Sequence, residues 1–216
     1  MQRKDWGIEE FMSVIWSDEC AVERSKDPRQ IWVFREPDGK WLADCIYPKP
    51  KDRGISLMVW GCCYGRNKGP LVPVPESMTG IRYLRIIKHY RPSVLRNALM
   101  IYPYVTFQHD NAPVHTARII TEWFDHNNIE VEAYPPYSPD LNPIEHVWVE
   151  LKKRLQQQYP RIADTKGGPP AVKSELARVL PLVWETIPPE FFEKLAASML
   201  RKVEAVIQAK GWYTKY

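Results

Sequence analysis

The stretch AYPPYSPDLNPIEHVWVELKKRL, residues 133–155, sets a proline-rich run of turn formers directly against an amphipathic helical pattern. Ile144, Trp148, Leu151 and Leu155 recur on one face of a helical repeat, so a helix is expected to begin just after Asn142-Pro143. Asn142 as N-cap, Pro143 at the first helical position and Glu145 at the third have the form of a capping box, which by itself accounts for a glutamate there. A carboxylate at the first turn of a helix with so fixed a start is also a rigidly held group, suited to chemistry.

Outward from this stretch, strands and helices alternate. IEVEAYP (129–135) alternates as a strand, HTARIITEWFDHNN (115–128) carries Ile119, Ile120, Trp123 and Phe124 at helical spacing, and YVTFQHD (104–110) has strand character. From Thr79 the spacing of Ile81, Leu84 and Ile87 predicts a helix that Pro92 breaks, with a second short helix over 93–100. Earlier still, SVIWSD (13–18), QIWVFR (30–35), WLADCI (41–46), ISLMVWG (55–61) and LVPV (71–74) read as short strands of a meander. Downstream, QQQYPRIADTKGGPP (156–170) reads as a polar loop, and 171–216 as two closing helices, the last stopped by Gly211. A meander followed by alternating strands and helices predicts an α/β fold, with 1–216 forming a single domain.

Composition is consistent with that architecture. A chain of 216 residues with 44% hydrophobic content can bury a substantial core. The N-terminus MQRKDWGIEEF is charged, and the uncharged stretch 54–65 is about half as long as a bilayer span, so no membrane partner is expected. Cys20, Cys45, Cys62 and Cys63 show no C-x-x-C spacing, which argues against a zinc ribbon or a disulfide framework and for a reducing compartment. The net charge of +4 is unevenly placed: residues 81–109 hold Arg82, Arg85, Lys88, Arg91 and Arg96 and no acidic residue. Such a run is either a solvated helix face or a surface that tracks phosphates.

Acidic residues where a strand ends or a helix begins are the candidates for chemistry, and three stand out. Asp18 follows the apolar run VIW, Asp110 follows VTFQH, and Glu145 opens the helix after Asn142-Pro143. Taken singly, each has an ordinary structural explanation: Asp18 caps a turn, Asp110 makes an Asx turn ahead of Pro113, and Glu145 completes a capping box. His109 and His115 are close in sequence, but no cysteine or third histidine is placed to complete a zinc site with them. Asp140, in SPDLNP, reads as a turn residue that delivers Glu145.

Taken together, the words VIWSDE, QHDNAPVHTA and PPYSPDLNPIEHVW, with 34 residues between Asp110 and Glu145, resemble the catalytic domain of a mariner-type transposase of the Tc/mariner superfamily. That family has an Asp, Asp, Glu triad, and SPDLNPIEHVW is the most specific of the matching words. The resemblance implies a ribonuclease H-like mixed sheet flanked by helices, with a C-terminal helical extension. Asp18 would lie on the first strand, Asp110 at the end of a later strand and Glu145 on a helix. It implies that Asp18, Asp110 and Glu145 are catalytic and hold two Mg²⁺ ions, with Mn²⁺ as a substitute, for cleavage of DNA and strand transfer. Asn111 and His115 beside the triad, and Arg82, Arg85 and Lys88 on the basic run, are candidates for supporting it or for touching DNA. The implied partners are transposon ends and target DNA. The resemblance also leaves room for a homodimer and, in a eukaryotic cell, implies the nucleus. Asp18 comes too early for the family's N-terminal helix-turn-helix modules to precede it, so sequence-specific recognition of ends is not expected. A catalytically silent, transposase-derived DNA-binding or protein-interaction module is the open alternative, and a ribonuclease H-type nuclease a third.

Overall fold

A ten-residue strand, β1 (Val14–Glu23), separates two hydrophobic cores, and the alternation of its side chains accounts for the layering. The computed structural model describes residues 3, 5–24, 55–74, 77–132, 138 and 141–210. The expected strands at 30–35 and 41–46, Cys45, Asp140 and Gly211 lie outside the described residues.

The described strands are β1, β2 (Ser56–Tyr64), β3 (Asn67–Val74) and β4 (Thr106–Gln108), arranged in the order β3-β2-β1-β4. β1 pairs antiparallel with β2, which pairs antiparallel with β3, while β1 and β4 run parallel with Trp16 opposite Gln108. The sheet is therefore mixed, as expected. Val14, Trp16, Cys20 and Val22 point to one face, together with Leu57, Val59 and Cys63 of β2. There they meet α4 (Ile144–Gln158), α5 (Gly168–Glu185) and α6 (Pro189–Gln208), through Trp148, Leu151, Leu176, Val183 and Met199 among others. Ile15, Trp60, Cys62 and Tyr64 point to the other face, against α2 (Gly80–Leu99) and α3 (Arg118–His126). A short helix, α1 (Ile8–Met12), leads into β1 and packs on α6.

Three expectations are corrected. α2 runs unbroken from Gly80 to Leu99, through Pro92. Pro92 sits on the exposed side, while Tyr83, Leu84, Ile86 and Ile87 before it and Val94 and Ala98 after it are buried in one core. That continuous apolar face outweighs the backbone hydrogen bond the proline cannot make. Second, the polar loop expected over 156–170 is largely helical: α4 extends to Gln158, a 3₁₀ helix covers Pro160–Asp164 and α5 starts at Gly168. Third, the strand expected over 129–135 reduces, over its described residues, to one parallel bridge between Val131 and Phe107.

Among the described residues, Cys20, Cys62 and Cys63 are buried free thiols. No described helix is long and apolar enough to cross a membrane.

Candidate functional site

The register of β1 and β4 sets two of the three carboxylates side by side. Trp16 and Gln108 are paired, and Asp18 and Asp110 each lie two residues further along, so they share one end of neighbouring parallel chains. Asp18 points to the same face as Trp16 and Cys20, toward α4, and is only 8% exposed. The Trp148 indole Nε1 donates to Asp18 Oδ2 at 2.9 Å. Trp148 is one helical turn beyond Glu145, so the contact that ties α4 to Asp18 also turns Glu145 toward it. Sequence reading assigned Trp148 only to the apolar face. Its polar role has no period-based signal.

A glycine makes this approach possible. Gly61 of β2 is the residue paired with Asp18, and a Cβ there would lie 2.8 Å from the Trp148 ring and 3.2 Å from Leu71. The bare backbone at Gly61 lets the indole approach the strand closely and reach the carboxylate.

The capping box expected at Glu145 does not form. Pro143 occupies the N-cap position of α4 in helical conformation, and no side chain caps the helix. The Glu145 N–H that an Asn142 side chain would have to meet donates instead to the Asn142 backbone carbonyl, at 3.3 Å. Asn142 itself is buried, with its Oδ1 lacking a partner among the described residues. The Glu145 side chain is exposed and accepts no hydrogen bond from the described residues.

Asp110 is held on its other side. Its Oδ1 accepts the Ala112 N–H at 2.9 Å, the Asx turn expected from DNAP, and lies 2.6 Å from His115 Nδ1. His115 is 2% exposed, and its Nε2 lies 3.2 Å from Glu19 Oε1. His109 stacks on His115 with ring centroids 4.9 Å apart, and its Nδ1 is 2.7 Å from the Tyr83 hydroxyl. Glu19 was missed by sequence reading. It follows Asp18 directly, and strand alternation sends it to the opposite face, where only the fold reveals His115.

Electrostatics separate these groups. Burial pushes the Asp18 carboxyl up to about 7; the Trp148 hydrogen bond opposes this, and the charges of Glu145 and Glu19 add to it. Glu145 is exposed as a residue, but partial enclosure of its carboxyl group raises it as well, while Lys152 opposes the shift and the charge of Asp110 adds to it. The His115 hydrogen bond holds Asp110 below its ordinary value. Burial alone would lower His115, but hydrogen bonds to Asp110 and Glu19 and their charges push it up to about 10, so it is an imidazolium. Burial and the neighbouring His115 bring His109 down to about 3, so it is neutral.

The charge of Glu145 thus bears on Asp18, and the charge of Asp110 on Glu145, a sign of proximity. Among the described residues, no three His, Cys, Asp or Glu side chains form a ready-made metal cluster. The donor chemistry suits a hard divalent cation: all three candidates offer carboxylate oxygens, and Asp110 Oδ2 and both Glu145 oxygens accept no hydrogen bond from the described residues. Both His115 nitrogens face carboxylates, which argues further against zinc.

The remaining candidates lie around this centre. Asn111 is exposed beside Asp110. Arg85 and Lys88 are on the exposed side of α2, with Arg96 further along the same side. Arg82 is half-buried and its guanidinium donates to the Ser77 carbonyl. Tyr83, beside Arg82, carries this end of α2 to His109 and His115.

Comparison with known proteins places the chain. The model of the family described as DDE superfamily endonuclease matches residues 13–166. The Transposable element Tc1 transposase of Caenorhabditis elegans is 35% identical over 98% of this chain and 73% of its own length. The Tcb1 transposase of Caenorhabditis briggsae is 33% identical over the whole chain and 74% of its own length. Among solved structures, the Mos1 mariner paired end complex with Mn is similar with a TM-score of 0.68 at 18% identity, over 99% of this chain. This chain spans only 59% of that one. The catalytic domain of Mos1 mariner transposase is similar with a TM-score of 0.55 at 19% identity, over 95% of this chain and 85% of that domain. The fold is therefore the expected ribonuclease H-like one, a mixed sheet flanked by helices.

Proposed function

The chain belongs to the DDE superfamily endonucleases, in their Tc1/mariner transposase branch, and we propose that Asp18, Asp110 and Glu145 form its divalent-metal-dependent centre for DNA cleavage and strand transfer. The observation that supports this reading is the placement of three carboxylates on adjoining elements: Asp18 and Asp110 at matched positions of parallel chains, and Glu145 one helical turn before Trp148, whose indole donates to Asp18. With the capping box absent, only a favourable charge at the first turn of α4 remains as a structural role for Glu145.

Asp18, Asp110 and Glu145 would hold two Mg²⁺ ions, or Mn²⁺ in their place, and solved relatives are described with Mg and with Mn. When bound, such a pair supplies activation of the attacking water or DNA 3′-hydroxyl and stabilisation of the leaving oxygen. The chain's own residues prepare for this. Trp148 fixes one oxygen of Asp18, the Asp110 carboxylate is fixed through Oδ1 with Oδ2 left open, and Glu145 is free to close onto the metals. Burial first, and neighbouring carboxylates second, raise the Asp18 and Glu145 carboxyls, and a bound cation would favour their charged forms.

DNA is the proposed substrate, both transposon ends and target, with the exposed Arg85, Lys88 and Arg96 of α2 tracking its phosphates. A dimer on paired ends follows the paired-end complexes of the Mos1 relatives, and the nucleus is the compartment where such a substrate is met in their hosts. The test is nicking of plasmid DNA in Mg²⁺ or Mn²⁺. The parent chain should cut and Asp110→Asn should not. A parent that binds DNA but never cuts it in either metal would instead indicate a silent, transposase-derived binding module.

A further inference from the structure

We infer that Glu19, on the face of β1 opposite Asp18, is a positioning residue of this centre: through His115 it fixes which oxygen of Asp110 is presented to a metal. The inference rests on the reading of Asp110 as a metal ligand. The chain of contacts is direct. Glu19 Oε1 is 3.2 Å from His115 Nε2, and His115 Nδ1 is 2.6 Å from Asp110 Oδ1. Both acceptors are carboxylates, so the buried ring donates at both ends and is strung between them.

The Ala112 N–H also goes to Oδ1, which gives that oxygen two donors and leaves Oδ2, on a side chain 45% exposed, with no hydrogen bond from the described residues. The ring plane is set by stacking on His109, at an interplanar angle of 5°, and by Tyr83, with centroids 4.2 Å apart. Stacking fixes the plane but not the rotation within it. Glu19 supplies the second point that fixes rotation, as the outer carboxylates of metal sites do for their histidines.

Two adjacent residues of one strand thus serve the same centre from opposite faces. Asp18 faces it directly from one side, and Glu19, whose side chain is only 16% exposed, acts through His115 from the other. Removing Glu19 leaves a buried ring with an unmet donor, free to turn away from Asp110.

The test is Mn²⁺ binding by the full chain, followed by electron paramagnetic resonance without DNA, with circular dichroism as the folding control. Glu19→Ala should weaken binding about 10- to 100-fold. Glu19→Gln keeps an acceptor oxygen and should restore most of the affinity, whereas Asp110→Asn should lose it. Parental affinity in a folded Glu19→Ala, with Asp110→Asn lost, overturns the role of Glu19 and leaves the carboxylate centre standing. Parental affinity in Asp110→Asn overturns both. Should Glu19→Ala not fold, Glu19→Leu supplies a side chain of similar size without an acceptor. If neither variant folds, a crystal structure of the Mn²⁺-bound parent decides: Asp110 should meet the metal through Oδ2 with Oδ1 kept on His115, and a metal on Oδ1 overturns the proposal.

Discussion

Gly61 sits directly across from Asp18 in the antiparallel pairing of β1 with β2, and the space where its side chain would be is filled by Trp148. The carboxylate, the glycine and the indole thus form one unit. A methyl group at Gly61 would lie 2.8 Å from Trp148 Cη2, so Gly61→Ala must displace the ring. Overpacking of this kind costs about 1–3 kcal/mol. Thermal or denaturant unfolding should show that loss, and DNA cleavage should fall with it because the Trp148–Asp18 hydrogen bond is broken. A fully stable and active Gly61→Ala would mean that the indole does not hold Asp18.

Trp148→Phe separates packing from hydrogen bonding. It keeps an aromatic ring against Gly61 but leaves the 8% exposed Asp18 without its indole donor. We expect a loss of about 1–3 kcal/mol in metal-free protein at neutral pH, measured by denaturant unfolding. Added Mn²⁺ should recover part of it.

Asp18 also predicts a pH dependence. Its folded value, about 7, is above the ordinary 3.8, so the folded state holds the proton more tightly than the unfolded state does. Its contribution is complete below the ordinary value and is lost as pH rises through about 7, a change on the order of 4 kcal/mol. Metal-free parent protein should therefore melt at a lower temperature at about pH 8 than at about pH 5. His115, also raised, adds to the decline above its ordinary value of 6.5. Asp18→Asn should flatten the profile and raise the melting temperature at the higher pH. A profile unchanged by that substitution would contradict the burial of an ionisable group at this position.

On α2, charge reversal at Arg85 and Lys88 should weaken DNA binding without affecting stability, since both are exposed. Every cationic side chain that stops neutralising a phosphate should reduce the slope of log affinity against log salt by about 1. Fluorescence anisotropy over a salt series measures this. An unchanged slope would return α2 to an ordinary solvated face.

Local pattern was enough to place β1, β2, α4 and the two closing helices, because each carries a long apolar period that one face of the sheet then buries. Asp18, Asp110 and Glu145 stood out for a local reason too, each following an apolar run or opening a helix, although β1 continues past Asp18 to Glu23 rather than ending there. What sequence reading missed depends on pairings between distant residues. Pro92 looks like a helix breaker until the common core on both sides of it is seen. Asn142-Pro143-Glu145 has the letters of a capping box, but the chain turns so that Asn142 is buried and its carbonyl takes the amide its side chain would need. Gly61, Glu19 and Trp148 carry no signal of their own, since their roles arise from residues far along the chain, 96 positions away for Glu19 and 130 for Trp148.

Glu145 allows the most direct test. It is exposed and caps nothing, so Glu145→Gln and Glu145→Ala should both fold and change metal-free stability by no more than about 0.5 kcal/mol, except where relief of repulsion with Asp18 and Asp110 adds to it. Neither a neutral amide nor a methyl group replaces a carboxylate on a hard cation. The decisive measurement is the rate of Mg²⁺-dependent DNA nicking by Glu145→Gln beside the parent, with DNA binding and folding verified for both. The account predicts a folded, DNA-binding protein that does not cut; a Glu145→Gln that nicks at the parent's rate would contradict it.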